Sequence, residues 1–388
     1  MTSTGPDHTP QPDPAGTPPV HESLTPQPAL GAPQPAGSAV PPQWAWAQPT
    51  QVQTVETEPL EYHRLLRGTQ NYRWWKPLML LLLSGVYFGV FTVVVTIAFV
   101  PLMMAFDPEY AFEVSTGAAE MLDTQRPISI LLSMVSIIVM IPAVLLAMLT
   151  MGMRPMGRVW SVATRIRWGM LGKLFLAAVV SVIVLNAVGI GVEMLLNPVV
   201  VSEPVESATE FDVNAALLSL LFIVLLVPFQ ATAEEVVFRG LFMQVLGSWL
   251  KSPWFAILIP SIGFALAHIY DIWGLAAVGL MGGVAAWLTW RTGGLEAAIA
   301  IHVVNNLIAF GFMTAGFGGE TAQTADGGGV GTLVGEVAGL GVFIWLTLRI
   351  FARGGHGRTR IDLVTVQVPL TVAPHQAAAQ GEAGSHGA

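Results

Sequence analysis

The 388-residue chain has no cysteine, which excludes disulfides, thiolate metal sites and a cysteine nucleophile together. Charge is scarce too. Asp, Glu, Lys and Arg make up 11% of the residues, against about 25% in soluble domains, so an ordinary soluble domain is excluded. No HExxH zinc-peptidase helix occurs. Ser248, Ser252 and Ser261 lack a GxSxG setting or a nearby base, so a serine nucleophile is not expected.

What the chain does hold is apolar sequence, 53% of its residues. Apolar segments occupy about 77–106, 127–150, 169–196, 213–232, 235–250, 254–270, 274–290, 295–313 and 331–351. Several reach the roughly 20 residues that cross a bilayer. Helix is the state expected for them, because an isolated strand cannot satisfy its backbone in lipid. The expected fold is an all-α, polytopic transmembrane helical bundle with about eight spanning helices. Residues 1–60, rich in Pro, Gln, Ala and Thr, are expected to be a disordered tail. Residues 61–212 are then N-terminal transmembrane helices, 213–352 a catalytic group of transmembrane helices, and 353–388 a cytoplasmic tail.

Basic residues cluster before the first span (Arg64, Arg67, Arg73, Lys76), at 151–173 (Arg154, Arg158, Arg165, Arg167, Lys173) and after the last span (Arg349, Arg353, Arg358, Arg360). The alternate connections are acidic, through Asp107, Glu109, Glu113, Glu120 and Asp123, then Glu203, Glu206, Glu210 and Asp212. The positive-inside rule therefore predicts cytoplasmic termini and a multi-pass protein of the plasma membrane. Two cytoplasmic ends require an even number of crossings, whereas the apolar segments number nine. Either one short segment fails to cross, or 213–250 is one broken element.

Against that apolar background the stretch AEEVVFRG, Ala233 to Gly240, stands out. Each charge at the centre of a bilayer costs about 3 kcal/mol on insertion scales, which points to function. The other intramembrane polar residues are His268, His302, Asn305 and Asn306. Helical spacing puts Glu235 and Arg239 at i,i+4 on one stripe, where they can pair. Glu234 lies about 100° round the helix and gains no such cation. Phe264 with His268, and His302 with Asn306, are also i,i+4 and share a face each.

These groups suit hydrolysis by water. A desolvated glutamate is a better proton carrier near neutral pH. A histidine can share the activation of the water, and an imidazole and an amide can donate to the developing oxyanion. Taken singly, each has a plainer role: an intramembrane histidine as a helix-packing partner, the Glu235–Arg239 pair as structure, Glu234 as part of a proton path.

In order along the chain, EEVVFR fits an EExxxR motif at Glu234, Glu235 and Arg239, FALAH fits FxxxH at Phe264 and His268, and HVVNN fits HxxxN at His302 and Asn306. This triplet resembles the CPBP family of CAAX prenyl endopeptidases and bacteriocin-processing or immunity proteins, over about residues 213–313. The resemblance implies an intramembrane endopeptidase acting on a membrane-associated protein or peptide. It implies Glu234 and His268 as the water-activating residues and His302 with Asn306 as oxyanion stabilisers, with Glu235, Arg239 and Phe264 supporting the site. The expected partners are the lipid bilayer and a peptide or membrane-protein substrate, and no nucleic acid. No cofactor is expected; the alternative is zinc held by Glu234, His268 and His302. A proton-coupled transporter and a non-catalytic immunity or scaffold protein are the competing functions.

Overall fold

A computed structural model describes residues 50–119, 122–198, 211–317, 321–323 and 328–369. Most of the N-terminal tail, the end of the C-terminal one, and Glu120, Glu203, Glu206 and Glu210 lie outside the described residues.

The apolar runs are helices. In chain order these are α1 (Lys76–Phe106), α2 (Pro108–Thr116), α3 (Pro127–Ile138), α4 (Met140–Thr150), α5 (Trp168–Leu196), α6 (Val213–Glu235), α7 (Met243–Trp249), α8 (Pro253–Leu266), α9 (Ile272–Thr292), α10 (Glu296–Thr314) and α11 (Val330–Gly354). α3 and α4 form one membrane span over Pro127–Thr150. α6 and α7 join through a π-helical turn, Val236–Phe242, into one helix from Val213 to Trp249. The separate segments expected at 213–232 and 235–250 are therefore one element. Among the described residues seven helices are long and apolar enough to cross a membrane, with the 14-residue α8 as a shorter apolar helix. The protein is a multi-pass membrane protein.

Short strands flank the bundle. β1 (Thr50–Glu56) pairs antiparallel with β4 (Leu363–Pro369), and β2 (Leu60–Glu61) with β3 (Thr359–Arg360). This corrects the expected tails: 50–60 and 359–369 are ordered by pairing with each other. Neither half shows a partner of its own in sequence, since the partners are about 300 residues apart.

The strand pairs put the start of α1 and the end of α11 on one face of the bundle. Arg158 Nη1 donates to Asp362 Oδ2 at 2.6 Å and to the Leu65 carbonyl at 3.1 Å, adding the 151–167 loop to that face. Arg67 Nη1 donates to the Ser248 carbonyl at 2.9 Å, and His63 Nε2 to that of Lys251 at 3.1 Å, which adds the end of α7. The amides of Val162 and Leu295 bond the carbonyls of Gly293 and Trp160, each at 2.9 Å, and so add the α9–α10 turn. The described acidic residues Asp107, Glu109, Glu113, Asp123 and Asp212 belong to the opposite end. There Thr124 N donates to the Thr321 carbonyl at 2.8 Å, Ser219 Oγ to that of Thr124 at 2.7 Å, and Gln323 Nε2 to Tyr270 Oη at 3.1 Å.

This arrangement settles the parity. α8 starts on the basic face at Pro253, and the chain reaches the acidic face by Tyr270 before α9 returns. A 14-residue helix rises about 21 Å, short of the roughly 30 Å hydrocarbon layer. The non-helical stretch 267–271 completes the passage. Among the described residues the bundle thus runs eight times between its two faces, seven times by long helices and once by α8.

Two glycine contacts fix the closest helix pair. A side chain on Gly339 would meet Leu185 Cβ at 2.6 Å and the Ser181 carbonyl at 2.8 Å, and Gly335 lies directly on the Leu185 carbonyl. Small residues four apart on α11 let its backbone approach α5 in the manner of membrane helix pairs.

Candidate active site

The site is built on the long helix formed by α6 and α7. Asp212 starts it by accepting hydrogen bonds from the amides of Asn214 and Ala215. Pro228 lacks an amide proton and so interrupts the ladder within α6. About two turns later the helix widens into the π turn, immediately after Glu235. Such turns favour functional sites because they re-aim side chains without ending the helix. Gly240, within the turn, sits against Val159, where a side chain would meet Cγ2 at 2.5 Å.

Glu235 is the centre of the polar cluster. Its Oε1 accepts from Arg239 Nη1 at 2.8 Å and from His302 Nδ1 at 2.7 Å. All three residues are about 1% exposed. Arg239 Nη2 donates to the Gly282 carbonyl of α9 at 3.0 Å, and its guanidinium lies 4.4 Å from the centre of the Phe264 ring. The expected Glu235–Arg239 pair therefore forms, and it ties three further helices to α6. Because a carboxylate only accepts, His302 carries a proton on Nδ1. Its Nε2 faces the other way.

There it meets Glu234. His302 Nε2 lies 3.6 Å from Glu234 Oε2, an oxygen that is buried and without a hydrogen-bond partner among the described residues. Glu234 Oε1 accepts from Gln230 Nε2 at 2.6 Å. Gln230 Oε1 in turn accepts from Asn306 Nδ2 at 3.3 Å. Sequence reasoning gave Glu234 no local partner and overlooked Gln230. The available signal was its i,i+4 spacing to Glu234, the same rule that paired Glu235 with Arg239.

His268 is placed differently. Its Nδ1 donates to the Phe264 carbonyl at 2.8 Å, leaving Nε2 as the unprotonated nitrogen of the neutral ring. The Phe264 ring stands edge-on to His268 at 4.7 Å and to His302 at 5.6 Å between centres. The ring of Tyr270 stacks 6.0 Å beyond His268. Phe264 is fully buried and separates the two imidazoles. The structure thus gathers Asn306, Gln230 and Glu234 into one hydrogen-bonded chain and Arg239, Glu235 and His302 into another, and the two meet where His302 Nε2 lies 3.6 Å from Glu234 Oε2. His268 is attached to that cluster through Phe264 and bonds neither glutamate.

Among the described residues no three His, Asp or Glu side chains converge at metal-ligand spacing. The alternative zinc set Glu234, His268 and His302 is therefore not assembled, because Phe264 holds the imidazoles apart and Glu235 occupies one nitrogen of His302. Glu296 is the first residue of α10 and binds Arg167 through Oε1 at 2.8 Å and Oε2 at 2.6 Å. Asp271 caps α9 by accepting from the Gly274 amide at 2.7 Å.

Residues 215–308 match the family model of type II CAAX prenyl endopeptidase Rce1-like proteins, so the resemblance carried by the three motifs holds over that segment. The chain is also similar to YyaK of Bacillus subtilis (strain 168), described as an uncharacterized protein, with 26% identity over 194 residues. That match covers 48% of this chain and 62% of the relative. No solved structure gives a significant match.

Proposed function

We propose, from the Rce1-like segment and the geometry within it, that the protein is an intramembrane endopeptidase. Its substrate is a peptide bond in a membrane-associated protein or peptide, and its termini face the cytoplasm of a plasma-membrane protein. One observation carries this: the unpartnered Glu234 Oε2, held within 3.6 Å of His302 Nε2 in a membrane-embedded cluster. A buried carboxylate oxygen without a partner calls for a functional explanation.

In the proposed reaction Glu234, together with the bare Nε2 of His268, takes a proton from water as its oxygen bonds to the scissile carbonyl carbon. Gln230 holds Oε1 of Glu234, so that Oε2 is the oxygen that receives the proton. The oxyanion that forms accepts from Asn306, whose amide nitrogen has a second proton beyond the one given to Gln230. His302 contributes from Nε2 only as an imidazolium, because its neutral form keeps its single proton on Nδ1 toward Glu235. Collapse of the intermediate breaks the carbon–nitrogen bond, and Glu234 returns the proton to the leaving amine. Glu235, Arg239 and Phe264 position these groups and do not exchange protons.

The test is a comparison of membrane proteomes from cells carrying the native chain and Glu234→Gln. Loss of specific neo-N-termini in the variant supports cleavage. An unchanged set of termini, with the native phenotype kept, would instead fit a peptide-sequestering scaffold. Unchanged termini with altered proton flux would fit a transporter.

A further inference from the structure

Where α5 begins and α11 ends, on the basic face, lies an open cavity of about 780 Å³ lined in part by Arg165, Trp168, Lys173, Ile350, Arg353 and His356. The proposed reaction uses none of these residues. The side chains of Arg165, Lys173 and Arg353 are exposed and make no ion pair with any described carboxylate. No Asp or Glu lines the cavity. Arg167 also lines it, but its charge is matched by the buried Glu296.

Helix stability does not account for this collection. Arg353, in the last turn of α11, complements the negative pole of its helix. Arg165 and Lys173 do the reverse, flanking the positive pole at the start of the 29-residue α5. That helix start has no side-chain cap; the Arg167 amide donates to Glu296 Oε1 and the Met170 amide to the Arg167 carbonyl, each at 2.9 Å, which leaves the amides of Trp168 and Gly169 without a partner among the described residues. Glu296 is taken up by Arg167, so Arg165, Lys173 and the two free amides at this positive pole oppose each other unless a further anion joins them.

The depth of the cavity identifies the anion. Both helices bordering it are membrane spans, so their ends lie at the level of the lipid headgroups. Trp168 is 72% exposed at that level, where tryptophan anchors to the interface. Ile350 and Met170 add an apolar wall on the bilayer side.

We infer that this cavity binds the phosphate headgroup of an anionic phospholipid, through Arg165, Lys173, Arg353 and the amides of Trp168 and Gly169. The site is separate from the glutamate–histidine cluster and does not depend on the peptidase assignment. Each cation beside an anionic lipid surface strengthens binding by about fivefold, so the three together contribute on the order of 100-fold.

The experiment titrates the detergent-solubilised full chain with fluorescent phosphatidylglycerol and, separately, with fluorescent phosphatidylcholine. Phosphatidylglycerol should bind at least tenfold more tightly. Arg165→Gln/Lys173→Gln/Arg353→Gln should lose that preference, while Arg165→Lys/Arg353→Lys should keep it with the same melting temperature as the native chain. A control, Arg73→Gln/Lys76→Gln/Lys251→Gln, removes three cations of the same face outside the cavity and should bind normally. Equal binding of the two lipids would overturn the inference. So would a control variant as impaired as the cavity variant, since diffuse surface charge would then suffice. Displacement of the lipid by equimolar inorganic phosphate would assign the cavity to a free phosphate and overturn the lipid assignment.

Discussion

His302 Nδ1 lies 2.7 Å from Glu235 Oε1, although 67 residues separate the two in sequence. This contact decides how the cluster is organised. It fixes the proton of the neutral imidazole on Nδ1, aims Nε2 at Glu234, and makes Glu235 the shared acceptor of Arg239 and His302. The two adjacent glutamates are therefore unequal: Glu235 takes a guanidinium and an imidazole on Oε1, whereas Glu234 takes only the Gln230 amide, each keeping its Oε2 without a hydrogen-bond partner among the described residues.

That inequality predicts opposite phenotypes. Glu234→Gln should abolish cleavage while leaving abundance and melting temperature near those of the native chain. Glu235→Gln or Arg239→Ala should lower both activity and abundance, because either leaves a buried charge unpaired at a cost of about 3–5 kcal/mol. Quantitative blotting beside a cleavage assay checks both. Native turnover in Glu234→Gln would remove it from the mechanism.

Asn306→Ala should reduce turnover on the order of 100-fold with little change in substrate binding, as expected for an oxyanion donor. Gln230→Ala should cost about tenfold, less than the roughly 100-fold or more that a general base contributes in all, and Gln230→Asn should not restore it because the shorter amide cannot span to Glu234. A loss confined to KM in either variant would point to substrate contact instead.

The eight traversals can be mapped in a chain that has no native cysteine. Cysteine at Ser115, exposed on the acidic face, should be labelled by an impermeant reagent from outside intact cells. Cysteine at Ser252, exposed on the basic face, should be labelled only after lysis. Ser248 is a poor reporter, since it is 1% exposed beneath Arg67. Labelling of both positions from outside would place the α7–α8 turn on the wrong side.

Acid should loosen the strand pairs that join the two ends. Burial alone would raise the Asp362 carboxyl, but hydrogen bonds and charge from Arg158 and Arg360 hold it below its ordinary value. The contribution of such a group is fully present above the unfolded carboxyl value of about 4 and is lost as pH falls through the depressed folded value. Amide exchange across Leu363–Pro369 should therefore accelerate only in strong acid. Asp362→Asn should exchange faster at neutral pH and lose that acid dependence; exchange rising equally with acid in the variant would assign the effect elsewhere.

The purified chain should keep its activity after treatment with a strong chelator and contain no stoichiometric metal by elemental analysis. One zinc per chain, with activity lost on removal and regained on its return, would require Glu234, His268 and His302 to rearrange around it.

The sequence by itself determined what each helix contains. Long apolar runs can satisfy their backbones in lipid only as helices, and the alternation of basic and acidic connections marked the two faces of the bundle. The i,i+4 rule paired Glu235 with Arg239 and grouped the remaining motif residues by face, since spacing fixes the angle of a side chain around its own axis. Tertiary structure decided what faces what. A helix packed in lipid is apolar toward its neighbours and toward the membrane alike, so hydropathy does not reveal its inward face as it does in a soluble protein. The pairing of His302 with Glu235 and the link from Asn306 through Gln230 to Glu234 therefore appear only when α6 and α10 are side by side. The same holds for the eighth traversal by α8, too short to qualify by length, and for β1 and β4, each of which gains its backbone partners only from the opposite end of the chain.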